Sequence, residues 1–132
     1  MEKQDYEISW LIPNRVALLV QNKDISIEET IRMVEEVNTL LGNSDAPKLP
    51  VVVDITPLGS TGNNVGQATR EFRSARSDKW GFTVVIGAKG VNQFIAQLVL
   101  QLARIEVRLA KDMNEALEIL YRIHPDLPRI EK

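Results

Sequence analysis

The densest set of groups capable of chemistry lies in residues 51 to 66, VVVDITPLGSTGNNVG. An apolar run ends on the carboxylate of Asp54, and the chain then opens into Thr56, Gly59, Ser60, Thr61, Gly62, Asn63 and Asn64. Three kinds of chemistry suit that order. A carboxylate at the carboxyl end of a strand is where an open α/β sheet would place a general base. Backbone N–H groups near Gly59 and Gly62, ahead of a helix N-terminus, suit an anion. Ser60 and Thr61 carry hydroxyls that accept phosphate. The plainer reading is structural: Asp54 accepts hydrogen bonds from the amides of residues 56 to 62, the glycines permit positive φ, and Asn63 or Asn64 caps the following helix. No lysine follows in the loop, so the G-x-x-x-x-G-K-[ST] phosphate pattern is absent, and no partner acid or nucleophile–base pair accompanies Asp54. A capped turn is the expected role of the loop.

The other candidates are sparse. His124 is the only histidine and stands next to Pro125, where a solvated tail residue is expected rather than a ligand or a base. With no cysteine, thiolate metal sites, disulfides and cysteine nucleophiles are excluded, and neither a metal nor a cofactor is expected. Arg70, Arg73 and Arg76 step by three, a stripe that suits either solvent or an acidic partner. Trp10 and Trp80 lack interleaved basic residues and read as core or sheet-edge residues rather than stacking platforms for bases.

The elements that position these groups follow from periodicity. The 132 residues fit one domain, expected over 1–124, with HPDLPRIEK and a polar tail over 125–132 that should fray. Tyr6, Ile8, Trp10 and Ile12 alternate with Glu7, Ser9 and Leu11 as in a half-buried strand, and VALLV (16–20) reads as its hairpin partner, covered on both faces. Ser26 and Glu29 have capping-box spacing for a helix to about Leu41, with Ile27, Ile31, Val34 and Leu41 on its inner face. A third strand spans Val51 to Ile55. Val65, Ala68, Phe72 and Ala75 mark a second helix, FTVVIG (82–87) a fourth strand, about Asn92 to Arg104 a third helix, and EVRLA (106–110) a fifth strand. Asp112 and Glu115 open a final helix that carries Met113, Ala116, Leu117, Leu120 and Ile123 inward. The predicted fold is α/β: a five-stranded, mixed, mostly parallel sheet with four helices in the order β-β-α-β-α-β-α-β-α.

A net charge of -2 and a pI near 5.5 give no field for tracking nucleic acid. FIAQLVLQLA is too short and too rich in glutamine to span a bilayer, and MEKQDYEISW has no basic and apolar leader pattern. A cytoplasmic protein without membrane insertion is expected.

The element order, the strand VVVDI with its loop and helix, the strand FTVVIG and the closing DMNEALEIL together resemble the STAS-like family. This is the anti-sigma-factor antagonist fold also found appended to sulfate transporters, and the likeness is to its SpoIIAA-like branch. It covers roughly residues 5 to 123 and rests on topology and apolar pattern. The resemblance implies a small non-enzymatic signalling or scaffold domain that binds protein partners, sometimes a nucleotide or lipid. Asp54 matches the acid that ends a strand in phosphorylatable members. Their switch serines fall here near Asn63 and Asn64, and Ser60 and Thr61 come a few residues early, so no kinase-controlled switch is expected.

A regulatory module acting through protein–protein interaction therefore ranks first. A module using the loop 56–64 to bind an anion, nucleotide or lipid is second, and an enzyme anchored on Asp54 third. The expected interface is the third helix. Outside its inner stripe it presents Gln93, Ala96, Gln97, Leu100 and Gln101 without a charge before Arg104, whereas the first helix carries Glu28, Glu29, Arg32, Glu35 and Glu36. An uncharged face suits an interface with a partner or, as a homodimer, with itself, and Arg70 and Arg73 complete the candidate surface.

Overall fold

The computed structural model of the chain describes residues 6–22, 27–56, 78–87 and 106–129. These contain β1 (Tyr6–Ile12), β2 (Val16–Gln21), α1 (Ile27–Gly42), β3 (Leu49–Asp54), β4 (Trp80–Ile86), β5 (Val107–Ala110) and α2 (Met113–Ile123). The strands form one sheet in the order β1-β2-β3-β4-β5. β1 runs antiparallel to β2, and every other neighbouring pair is parallel. The expected α/β class and five-stranded mixed sheet are thus present, with two helices among the described residues. The second and third helices of the sequence reading, and the Ser26 cap of the first, fall outside them.

Each parallel strand uses both faces, as its apolar run requires. On one face Ala17, Leu19, Val51, Val85 and Val107 belong to the same buried cluster as Met33, Val34, Val37 and Leu41 of α1. On the other, Val16, Val52, Val84, Ile86 and Ala110 meet Ala116, Leu117 and Leu120 of α2. α1 lies against the β1–β2 hairpin, whereas α2 lies against β4 and β5. The helix cap read from Asp112 is in place: its carboxylate accepts the Glu115 N–H at 2.9 Å, and the Glu115 carboxylate accepts the Lys111 N–H at 3.0 Å. Two polar side chains are buried among these residues, Ser44 and Thr83. The Thr83 hydroxyl accepts the indole N–H of the buried Trp80 at 2.9 Å and donates to the Gly81 carbonyl at 3.1 Å, so the core holds a paired donor.

Four details differ from the sequence expectation. The alternation of β1 breaks at a register shift between Trp10 and Ile12. Tyr6, Ile8 and Trp10 face the α1 side, while Leu11 and Ile12 join the α2 side. An extra residue at a bulge turns the strand over in this way. β3 begins at Leu49 and so includes Pro50, and β4 begins at Trp80. Proline is tolerated there because the register slips between Leu49 and Val51, and Gly81 opposite has no Cβ to press on the Leu49 carbonyl, which would lie 3.1 Å away. Ile123 is 39% exposed rather than inward, because the chain turns at His124 and Leu127 closes the cluster instead.

The fourth difference concerns the tail. Leu127 is 4% exposed, Asp126 pairs with Arg15 at 2.6 Å, and the Arg129 guanidinium lies 3.9 Å above the Tyr121 ring. The hydrogen bond from Arg15 holds the Asp126 carboxyl below its ordinary value. Residues 125–129 are therefore packed against the domain, and burying Leu127 contributes on the order of 1.5–3 kcal/mol relative to leaving it in water.

Two outcomes follow. Val52 and Val84 are fully buried and pair across β3 and β4. Val52→Asp or Val84→Asp places a carboxylate in a dry core and should cost on the order of 4–5 kcal/mol, enough to abolish the cooperative thermal transition seen by circular dichroism. The second concerns Tyr6, whose hydroxyl donates to the Glu36 carboxylate and so ties β1 to α1. Burial first, then that hydrogen bond and the charge of Glu36, push its pKa up from 10.0 to about 12. Between those values the folded chain keeps a proton that the unfolded chain loses. The contribution of Tyr6 to stability is accordingly complete below pH 10 and is lost as the pH rises through 12. In a Tyr121→Phe variant, phenolate absorbance should rise with a midpoint near pH 12, and Glu36→Gln should bring it down; a native midpoint near 10 would contradict the assignment.

Candidate functional site at the carboxyl ends of the strands

The parallel register aligns one end of the sheet. Val20 lies beside Asp54, Asp54 beside Ile86, and Ile86 beside Ala110, so four strands deliver their carboxyl ends to one edge. Open α/β sheets bind ligands at such an edge. Asp54 is the last residue of β3, held there by the apolar run before it, and it is half-buried. Its Oδ1 accepts the backbone N–H of Thr56 at 2.9 Å, closing the first turn of the loop. This is the structural role expected from the residue types. The adjacent backbone continues the sheet for one more step: the Ile55 N–H donates to the Ile86 carbonyl at 3.0 Å, and the Gly87 N–H to the Ala110 carbonyl at 3.1 Å.

Gly87 is the residue that sequence reading passed over. Its φ is +83°, and a Cβ there would stand 2.7 Å from the Thr56 Cα and collide with the Thr56 side chain. The chain leaving β4 thus crosses closely over the chain leaving β3, and only a residue without a side chain permits the crossing. The sequence signal was present in the glycine that ends WGFTVVIG, but its contact with Thr56 is not encoded locally.

The carboxylates at this edge are dispersed. Glu7 lies opposite Val20 on β1, which places it two strands from Asp54, a separation of about 10 Å. That exceeds the few ångströms over which two carboxylates share a proton. The Glu7 carboxylate accepts a hydrogen bond from the Asn22 amide at 3.1 Å. Asp112 and Glu115 are engaged in the cap of α2. Among the described residues no group of three or more His, Asp or Glu side chains could hold a metal ion. His124 sits at the far end of α2, where its backbone N–H donates to the Leu120 carbonyl at 2.7 Å. Eleven helical residues, about 16 Å of helix, separate it from the edge that Asp54 occupies, so the two do not form an acid–base pair.

Asp54 and Thr56 are thus brought together with Gly87. Gly59, Ser60, Thr61, Gly62, Asn63, Asn64, Arg70, Arg73, Gln93, Ala96, Gln97, Leu100 and Gln101 lie outside the described residues. No protein-family model matches the chain, and no curated protein matches it. What the described edge can do chemically is orient backbone: Asp54 starts the loop in a defined direction, and Gly87 sets its distance from the neighbouring chain.

Gly87→Ala tests that arrangement. Forcing a Cβ into the left-handed region costs about 1–2 kcal/mol, and the collision with Thr56 adds to it. The variant should unfold at lower urea with an unchanged dependence on denaturant, and Thr56→Gly in the same chain should recover part of the loss. Equal stability of Gly87→Ala and the parent would refute the close crossing.

Proposed function

We propose that this chain is a non-enzymatic regulatory or scaffold domain acting through protein–protein interaction, of the STAS-like, SpoIIAA-like kind. The observation that carries the reading is the use made of Asp54. The one acid delivered to the strand end by an apolar run has its carboxylate engaged with the backbone of its own loop at 2.9 Å, which suits a shaped recognition surface better than a general base. The sheet order β1-β2-β3-β4-β5, with an opening antiparallel hairpin, supports the same family reading.

The finer architecture belongs to this proposal. Successive parallel neighbours joined by right-handed crossovers place every connection on the face that α1 occupies. Val85 and Val107 are buried on that face although α1 lies against the hairpin. Two further helices, in the order β-β-α-β-α-β-α-β-α, would cover them. The outer side of the later one, with Gln93, Ala96, Gln97, Leu100 and Gln101, then forms the interface with a partner or a second copy, beside Arg70 and Arg73 and the loop 56–64. No helix among the described residues is long and apolar enough to cross a membrane. We place the domain in the cytoplasm, without cofactor and without a phosphoswitch at Ser60 or Thr61.

Light scattering after size exclusion is the test. A mass twice the 14.9 kDa of one chain is expected, and Leu100→Glu should return it to one chain without loss of folded signal. A parent mass of 14.9 kDa at every concentration removes self-association, and a partner pull-down unchanged by Leu100→Glu removes the docking face as well. A rise in melting temperature on adding nucleotide, phosphate or lipid would favour a ligand-binding module instead.

A further inference from the structure

The segment after α2 is attached to the domain differently from everything else described. The strands are held by backbone ladders and helix α1 by a row of buried side chains. Among the described residues, 125–129 instead rest on one apolar wedge, Leu127, and on two contacts made by the exposed side chains of Asp126 and Arg129. Among the described residues their backbone bond, from the Leu127 N–H to the His124 carbonyl at 3.1 Å, ties the segment to the end of α2, and none goes to a strand. Asp126 reaches across to Arg15 in the turn between β1 and β2, with side chains 70% and 41% exposed. Arg129 folds back over Tyr121 of α2. The segment therefore bridges the end of α2 and the hairpin turn, and Leu127 is buried as a member of the second cluster, which also holds Ile12, Val16 and Leu120. Pro125 and Pro128 flank the wedge and fix its backbone, which lowers the entropy lost each time it seats.

We propose that residues 125–129 are an electrostatically latched strap that opens and closes over the amino end of the second sheet face without unfolding of the sheet. Opening releases one leucine side chain and the contacts of two exposed charged side chains, Asp126 and Arg129, and it breaks no strand pairing. Local openings of this kind lie well below the global unfolding free energy. The strap's own Leu127 holds this place in the cluster. Because the Arg15–Asp126 pair is in water, salt screens it, and ionic strength tunes the closed population.

Native-state amide exchange on the full chain, followed residue by residue by NMR, tests this. In the parent, the Leu127 amide should exchange faster than those of Ile55 and Thr83, which donate to the Ile86 and Glu106 carbonyls. Asp126→Asn should speed Leu127 exchange roughly two- to fivefold and leave Ile55 and Thr83 unchanged. Arg15→Gln should do the same, and the double variant should add nothing further. Added salt should speed Leu127 exchange in the parent and have no effect in Asp126→Asn. Leu127 exchanging as slowly as Ile55 and Thr83 would overturn the proposal. So would no response to Asp126→Asn, or an equal acceleration of all three amides, which would make the segment part of the global core.

Discussion

Parallel pairing of β2, β3, β4 and β5 is the constraint on which the rest of the structure depends. A parallel sheet leaves no face for water when both sides of its strands are apolar, so every row must be covered twice. Val51 and Val52 are both fully buried, one on each face, as are Val84 and its neighbour Thr83. That requirement places α1 and α2 on opposite sides and explains why their buried stripes do not mix. It also explains why Thr83, the one hydroxyl in the middle of β4, must be paired with the Trp80 indole rather than with solvent.

Both ends of the sheet are tied by polar contacts that the apolar rows cannot provide. At the amino end Ser44 is buried at 7% exposure, donates to the Asn14 carbonyl at 2.9 Å and accepts the Ala46 N–H at 3.2 Å, and the Lys79 ammonium donates to its carbonyl. One serine thereby joins the hairpin turn, where Asn14 has a φ of 63°, to the end of α1 and the start of β4. At the carboxyl end the Asp54–Thr56 bond and the Gly87 crossing set where the loops begin. The first knot locks the side of the sheet where strands enter, and the second shapes the side where a binding loop would emerge.

The helix faces divide along similar lines. Glu28, Arg32, Glu35 and Glu36 are exposed along α1, a charged outer surface that keeps that side solvated. Glu36 nevertheless takes the Tyr6 hydroxyl, so the same row that faces water also orients the helix over the hairpin. The charges of α1 contrast with the uncharged glutamine row at 93, 97 and 101 in the sequence.

The class of the fold, the positions of its five strands and the cap of the last helix were legible in the sequence, because each depends on a local period or on groups three residues apart. VALLV, VVVD and FTVVI declare strands buried on both sides, and Asp112 with Glu115 declares a helix start. Asp54 could be read as the anchor of a turn for the same reason. Tertiary structure alone decided that Ile12 faces α2 rather than α1, that Pro50 lies inside β3, that Gly87 passes against Thr56, and that Leu127 seats in the second cluster. Each of these depends on a partner distant in the chain. A one-residue slip in strand pairing reverses every side chain beyond it, and no local period records the slip. Likewise a single leucine in a polar tail has no periodic neighbours to announce it, and only its tertiary packing into the second cluster determines that it is buried.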